Sequence, residues 1–489
     1  MTKTPRDDAY GTVRLGGMAL GPLGALVLLA IPAPAGLDSA AWSTAAVAVW
    51  MAVWWATEAV PVAATALLPL ALFPLLGVSD IKQAAAPFAN PLIFLFLGGF
   101  LIALSLQRWD LHRRIALHIV SFAGSRPTAL LGGIMLATAC LSMWISNTAT
   151  AMMMMPIAAS LVVILRPGDG APGGSDESRF ATALMLATAY AASIGGLATL
   201  VGSPPNALLA AFMSQTYGVE IGFAQWMLVG LPVAAVMLPL TWFVLTKVVF
   251  RFQVDEQGRG GPMIAEALRA MGPMTRPEKR VAGVFALVAA LWITNPLLAA
   301  WVGPGTFSDA GIAISGALLL FVIPADWKQK VFLLDWAWAR RAPWEILILF
   351  GGGLSLAQAV DKTGLATWIG GGLAILGDWP VILLVAAVVG LVIFLTELTS
   401  NTATTAAFLP VLGAVAVQAE LAPLLLTVPA ALAASCAFML PVATPPNAIV
   451  FGSGHVTIAQ MMRAGLLLNL LGMLVITALT PLIVEFVFS

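Results

Sequence analysis

The chain is poor in charge. Of its 489 residues only 9% are Asp, Glu, Lys or Arg, where a soluble surface needs roughly a quarter. The signs balance, 23 basic residues against 23 acidic, so there is no basic surface of the kind that holds nucleic acid. Two cysteines, Cys140 and Cys436, lie far apart inside apolar stretches, which argues against a disulfide framework or a cysteine metal site. The three histidines, His112, His118 and His455, fall beside charged connecting segments. The apolar stretches are thus almost without acid–base or metal chemistry. What is present is hydrocarbon. Apolar residues make up 60% of the chain and the mean hydropathy is +0.97. Apolar runs of 18 or more residues describe an all-α polytopic membrane protein, whose first partner is the lipid bilayer.

Candidate spans run over about 15–33, 41–56, 60–78, 91–107, 128–165, 180–215, 225–250, 281–302, 309–325, 343–360, 380–418, 424–453 and 464–488. Two of them, 128–165 and 380–418, are too long for one crossing, and each carries Ser-Asn-Thr near its middle. Irregular backbone at membrane depth is tolerated only inside protein or beside a water-filled cavity. Both therefore read as re-entrant hairpins, leaving eleven true spans. With the N-terminus in the cytoplasm and the C-terminus outside, 21 of the 23 Lys and Arg fall on the cytoplasmic side, all but Lys82 and Lys362. That is the bias the positive-inside rule demands. A basic start, an apolar run and Ala33-Pro34-Ala35 resemble a cleavable signal, but the run is long for that role and reads as a retained first span. The setting is a plasma membrane of the bacterial inner-membrane type.

The two halves repeat. Leu97-Gly98-Gly99 matches Phe350-Gly351-Gly352 at an offset of 253, and Ser146-Asn147-Thr148-Ala149-Thr150 matches Ser400-Asn401-Thr402-Ala403-Thr404 at 254. Pro204-Pro205-Asn206-Ala207 matches Pro445-Pro446-Asn447-Ala448 at 241, and the Gly/Pro/Asp-rich stretch 166–179 accounts for the lost 13. Each half holds five spans and a hairpin. Five is odd, so the second half enters the membrane inverted. Inverted repeats mark secondary transporters, whose sites lie near the midplane where discontinuous helices meet. The charged, Gly-containing segment 251–280 reads as the cytoplasmic connector between halves. The organisation is then 1–127, a first scaffold part with spans one to four; 128–250, a first transport part; 251–379, connector and second scaffold part; and 380–489, a second transport part.

Four polar interruptions carry the chemistry. Paired prolines remove two backbone donors and clash with the preceding turn, so each Pro-Pro-Asn breaks its helix. Ser, Asn and Thr favour helix N-termini. A tip ending in them offers hydroxyls, an amide, free N–H groups and the positive end of a helix dipole, a seat for an anion without Arg or Lys. The same hydroxyls, the Asn oxygen and freed carbonyls suit a hard monovalent cation such as Na⁺. Taken singly, such residues only glue or kink helices; four motifs paired across an inverted repeat point to a site. Glu58 and Glu397 sit among apolar residues, where an intramembrane carboxylate is a functional candidate. Structural bracing fits both better, Glu397 at the second tip and Glu58 beside the turn at Pro61.

Paired Ser-Asn-Thr tips, each followed by Pro-Pro-Asn in the next helix, resemble the divalent anion/sodium symporter family over essentially the whole chain from about residue 40. The resemblance implies carriage of di- and tricarboxylates, in some branches sulfate. It implies substrate contacts from Ser146, Asn147 and Thr148, and from Ser400, Asn401 and Thr402. Ser203, Pro204, Thr444 and Pro445 would line the same seat. It further implies at least two sodium sites: one of Ser142, Ser146, Asn147 and the backbone at Gly202, the other of Thr396, Ser400, Asn401 and the backbone at Ala443. The absence of a basic replacement in either set argues for the sodium-coupled branch over sodium-independent exchangers. Homodimers and an elevator-like sliding of the transport parts against the scaffold are also implied.

The resulting expectation is sodium-coupled inward symport of a small dicarboxylate of the succinate, malate or fumarate type. A sodium-independent exchanger and a citrate or sulfate transporter on the same fold are the near alternatives. An intramembrane enzyme is disfavoured by the lack of histidines or paired catalytic carboxylates in the spans. A channel is disfavoured because inverted halves fit alternating access.

Overall fold

Within hydrocarbon a backbone must satisfy its own hydrogen bonds, and a helix does so within one segment. The computed structural model, which describes residues 12–124, 126–164, 175–252, 260–303, 306–372 and 379–488, is accordingly built of helices. The expected first eleven residues, most of the 166–179 insertion and 253–259 of the connector lie outside the described residues. Among those described, five helical stretches are long and apolar enough to cross a membrane: Thr12–Ala30, Ile81–Arg108, Phe223–Val249, Arg276–Trp301 and Ile458–Phe488. The other expected spans are helical but shorter or interrupted. The 60–78 stretch, for example, divides into Val62–Thr65 and Leu68–Leu75.

Three features were not expected. A two-stranded antiparallel ribbon, Pro324–Asp326 against Val331–Phe332, departs from an all-α chain. Leu111–Phe122 is a separate amphipathic helix. Its Arg114 forms a buried ion pair with Glu278 (Nε to Oε1 2.8 Å) and donates to the carbonyl of Gly272 at 2.8 Å. Glu278 in turn caps its own helix through Thr275. This ties the segment before the first hairpin to the start of Arg276–Val302. Third, Glu58 is half exposed and pairs with Arg14 at 3.1 Å, with left-handed backbone at φ 46°. It closes the end of Ser39–Thr57 as a surface pair rather than facing an interior.

The paired motifs sit at paired breaks. Helix Pro127–Ser142 meets Asn147–Ile164 across four residues, and Val381–Thr396 meets Asn401–Gln418 across four. Helix Ser175–Gly196 is followed by irregular backbone until Pro204–Phe212, and Leu424–Ala434 by irregular backbone until Pro445–Phe451. The breaks are wider than the prolines alone require. The prolines occupy the first turn of each following half-helix, where the missing N–H costs nothing. The glycines of the repeat also serve packing: Gly98 lies against the main chain of Ala313, and Gly352 against that of Ala66.

Candidate functional site

The first tip folds back onto the first break. Ser142, the last residue of its helix, is buried, and its Oγ lies 2.6 Å from the Asn147 amide and 2.7 Å from the Ala192 carbonyl. The same terminal atom of Asn147 lies 3.0 Å from the Ala192 oxygen and 3.3 Å from the Gly202 oxygen. With the amide oxygen turned inward, it accepts from the Ser142 hydroxyl and faces two main-chain carbonyl oxygens; with the nitrogen turned inward, the amide donates to all three. Oxygens from a hydroxyl, an amide and two main-chain carbonyls are what a hard monovalent cation binds, so the residues fit sodium and the amide can turn with the load. Gly196 has no room for a side chain: a Cβ there would meet the Asn147 amide and the Gly202 carbonyl.

The second tip repeats the arrangement. Thr396 Oγ1 lies 2.6 Å from Asn401 Oδ1 and 3.1 Å from the Ala434 carbonyl. Ser142 and Asn147 thus correspond to Thr396 and Asn401, and Ala434 takes the role of Ala192, one residue past the position 241 further on. Ala443 is buried and turns back to the Leu440 carbonyl at 3.2 Å.

The Asn of each Pro-Pro-Asn organises its break. Asn206 Nδ2 donates to the carbonyls of Gly196 (2.9 Å) and Thr199 (2.8 Å). Asn447 Nδ2 donates to those of Ala437 (3.1 Å) and Leu440 (3.0 Å), the residues 241 further on. Both asparagines are fully buried. Helices Phe223–Phe243 and Ile458–Phe488 seal the breaks from behind at glycines: Gly230 abuts the Leu197 carbonyl and Gly465 the Phe438 carbonyl. Side-chain bonds join the halves here. Ser203 Oγ lies 2.8 Å from Ser435 Oγ, and the Tyr190 hydroxyl donates to the Phe438 carbonyl at 2.9 Å.

Of the residues singled out in the sequence, Ser142 with Asn147 and Thr396 with Asn401 are in direct contact, and Gly202 lies beside Asn147. Ser146 Oγ receives only a long bond from the Ala149 N–H, 3.4 Å. The hydroxyls of Thr148, Ser400 and Thr402 make no hydrogen bond among the described residues, so they are free to meet a ligand. Ser203 and Thr444 are buried; Thr444 caps the Asn447 N–H at 3.3 Å. Pro204 and Pro445 begin their half-helices, Pro445 exposed.

Sequence reasoning missed several participants. The carbonyls of Ala192 and Ala434 carry no sequence signal at all. Asn206 and Asn447 belong to a motif that does not by itself disclose their bonds to the broken backbone. Thr199 Oγ1 ties the Met143 carbonyl (2.5 Å) to the Gly202 N–H (3.0 Å). Asn469, a lone amide in an apolar helix, bonds Glu397 at 2.8 Å; its isolation was the available signal.

Comparison with known proteins agrees in kind. The sequence model of a family described as the sodium:sulfate symporter transmembrane region matches residues 22–487. Among curated relatives, a sodium-dependent dicarboxylate transporter SdcS of Staphylococcus saprophyticus is 42% identical over 475 residues, 96% of this chain and 91% of the relative. The SdcS of Staphylococcus aureus is 42% identical over 480 residues, 97% of this chain and 92% of its own. Among solved structures, the Alcanivorax borkumensis YdaH transporter superposes with a TM-score of 0.61 at 15% identity, covering 97% of this chain and 98% of that one. Neisseria gonorrhoeae MtrF gives 0.58 at 14%, covering 96% and 94%. At those identities the likeness is one of fold. By the extent of the family match and of the curated relatives, the chain belongs to the sodium:sulfate symporter family.

Proposed function

We propose that this member of the sodium:sulfate symporter family is a secondary active transporter that moves a small dicarboxylate of the succinate, malate or fumarate type into the cell with sodium. The observation that carries the reading is the pair of matched oxygen rings, Ser142–Asn147–Ala192–Gly202 and Thr396–Asn401–Ala434, each at a hairpin tip and without a basic side chain. The names of the 42%-identical relatives support the same substrate class and coupling ion.

With no fixed positive side chain at the tips, bound Na⁺ must offset the charge of the carboxylates. Sodium at each ring would also order its tip and so pre-form the anion seat, which is a coupling free energy between the two ligands. In this reading Ser142, Ser146, Asn147 and the Gly202 carbonyl hold one Na⁺. Thr396, Ser400, Asn401 and the Ala443 backbone hold the second. Substrate lies between Ser146, Asn147, Thr148, Ser203 and Pro204 on one side and Ser400, Asn401, Thr402, Thr444 and Pro445 on the other. Both tips are re-entrant and the halves inverted, with the N-terminus in the cytoplasm and the C-terminus outside. The parts 128–250 and 380–489 move together against 1–127 and 251–379, in a homodimer.

The test is uptake of radiolabelled succinate into proteoliposomes with and without an inward sodium gradient, competed with citrate and sulfate. Sodium-driven accumulation blocked by unlabelled dicarboxylate is expected. Uptake unchanged when choline replaces sodium would overturn the coupling, and competition by sulfate alone would overturn the substrate class.

A further inference from the structure

We propose that Glu397 and Asn469 are positioning residues for the second cation site and make it the tighter of the two; this rests on the sodium-coupled reading above. Glu397 follows Thr396 directly and is 4% exposed. Its Oε1 accepts from the N–H groups of Phe438 (2.7 Å) and Met439 (2.9 Å) and from Asn469 Nδ2 (2.8 Å), and its Oε2 accepts from the Leu440 N–H (3.0 Å). All four partners are donors, which is the bonding of an ionised carboxylate, an acceptor only. No Lys, Arg or His pairs with it among the described residues. Successive main-chain N–H groups in an irregular segment form a concavity for an anion. Here the chain fills that concavity with its own side chain.

The clamp leads straight to the proposed ligands. It fixes 438–440. The Leu440 carbonyl then receives the N–H of Ala443 at 3.2 Å and the amide of Asn447 at 3.0 Å. Ala443 is the backbone position of the second cation set, and Thr396, next to Glu397, supplies its hydroxyl. A buried negative charge one residue from a cation ligand, at an effective dielectric well below that of water, strengthens cation binding. Freezing the surrounding backbone beforehand adds to it, as outer-shell partners of metal ligands do. The first half has neither device. Met143 stands where Glu397 would be, Ala234 where Asn469 would be by the Gly230–Gly465 correspondence, and the neutral Thr199 hydroxyl holds the first break.

The experiment measures sodium dependence twice on the full-length protein: succinate uptake into proteoliposomes, and sodium-titrated thermal unfolding of detergent-purified protein without substrate. Glu397→Gln keeps the shape and removes the charge. It should raise the half-saturating sodium concentration roughly tenfold in both assays, the scale on which outer-shell changes act, with a smaller change in succinate KM at saturating sodium. Asn469→Leu keeps the charge and loses one anchor, and should give a smaller shift in the same direction. Tyr190→Phe removes a different bond to the same segment and should leave the sodium requirement unchanged. Wild-type sodium half-saturation in Glu397→Gln and Asn469→Leu would overturn the proposal. So would an equal shift in Tyr190→Phe, because the effect would then be general loosening. Should Glu397→Gln fail to fold, Asn469→Leu decides alone. A wild-type protein indifferent to sodium would instead refute the proposed function.

Discussion

The two tip-and-break pairs share their oxygen rings and differ in what holds those rings in place. In the first half the broken backbone closes on itself. The N–H groups of Leu197 and Ala198 return to the carbonyls of Ile194 and Gly195, and Thr199 stitches break to tip. In the second half the equivalent N–H groups, of Phe438 to Leu440, are captured by a carboxylate. The tips differ too. Trp144 stacks into an aromatic cluster with Phe223, Phe285 and Trp292, whereas Leu398, its counterpart 254 residues on, is 70% exposed. What the repeated motif preserves is the contact geometry at the tip; the scaffolding behind each copy differs.

The largest effects should fall on the shared part and be equal in both halves. Asn147→Asp and Asn401→Asp each keep an oxygen for the cation but remove the amide donor and set a negative charge beside an anion in a medium of low dielectric. Each should abolish dicarboxylate uptake while the purified protein stays monodisperse and still responds to sodium in thermal unfolding. If one variant transports at the wild-type rate, the two rings are not equivalent and the substrate does not lie between them.

How far the sequence revealed this follows the same division. The paired residues that meet at the tips were legible because Ser-Asn-Thr and Pro-Pro-Asn appear twice at related spacing. The helical stretches were legible from apolar runs, and the tip breaks from polar interruptions within them. The partners were not. Main-chain carbonyls such as those of Ala192 and Ala434 can be supplied by any residue type, so they leave no mark. Asn469 lies 72 residues from Glu397, and only the folded chain brings them together. The sequence marked that each helix breaks but not how far the break extends, because the prolines start the second half-helices and nothing in the pattern marks where the first ones end. The ribbon at 324–332 was missed because its strands are three and two residues long, too short for alternation to register.

Next in size come the glycines that let a helix lie directly on each break. Gly230→Ala and Gly465→Ala would each drive a Cβ into a backbone carbonyl, of Leu197 and Phe438 respectively. Overpacking against main chain costs about 1–3 kcal/mol, so both should lower the thermal midpoint of the detergent-purified protein and its transport rate. Equal losses would show that both breaks are backed in the same way; a tolerated change in one half would mark that half as the looser.

A smaller loss, confined to the first half, is expected from Thr199→Val. It leaves the Gly202 N–H only the Thr199 carbonyl at 3.3 Å and takes the hydroxyl donor from the Met143 carbonyl, a loss of about 1–2 kcal/mol. The protein should lose thermal stability and need more sodium for half-maximal uptake. An unchanged sodium requirement would mean that the first break holds its shape without the hydroxyl.

The smallest effect tests the tips. Trp144→Leu installs the residue that the second tip carries at the matching place. The indole lies 5.9 Å from the Phe223 ring in a stacked arrangement and meets Phe285 edge-on at 5.1 Å. Phe285 and Trp292 belong to Arg276–Val302, a helix outside the hairpin, so the stack joins the first tip to a separate part of the molecule. An aromatic pair contributes about 0.5–1.5 kcal/mol beyond its buried area, and leucine restores part of the apolar contact but none of the ring geometry. Trp144→Leu should therefore lower the thermal midpoint modestly. Leu398→Ala, at an exposed position, should stay within about 0.5 kcal/mol of wild type. If instead the two substitutions cost the same, the aromatic cluster does not brace the first tip, and the asymmetry between the tips lies in Glu397 alone.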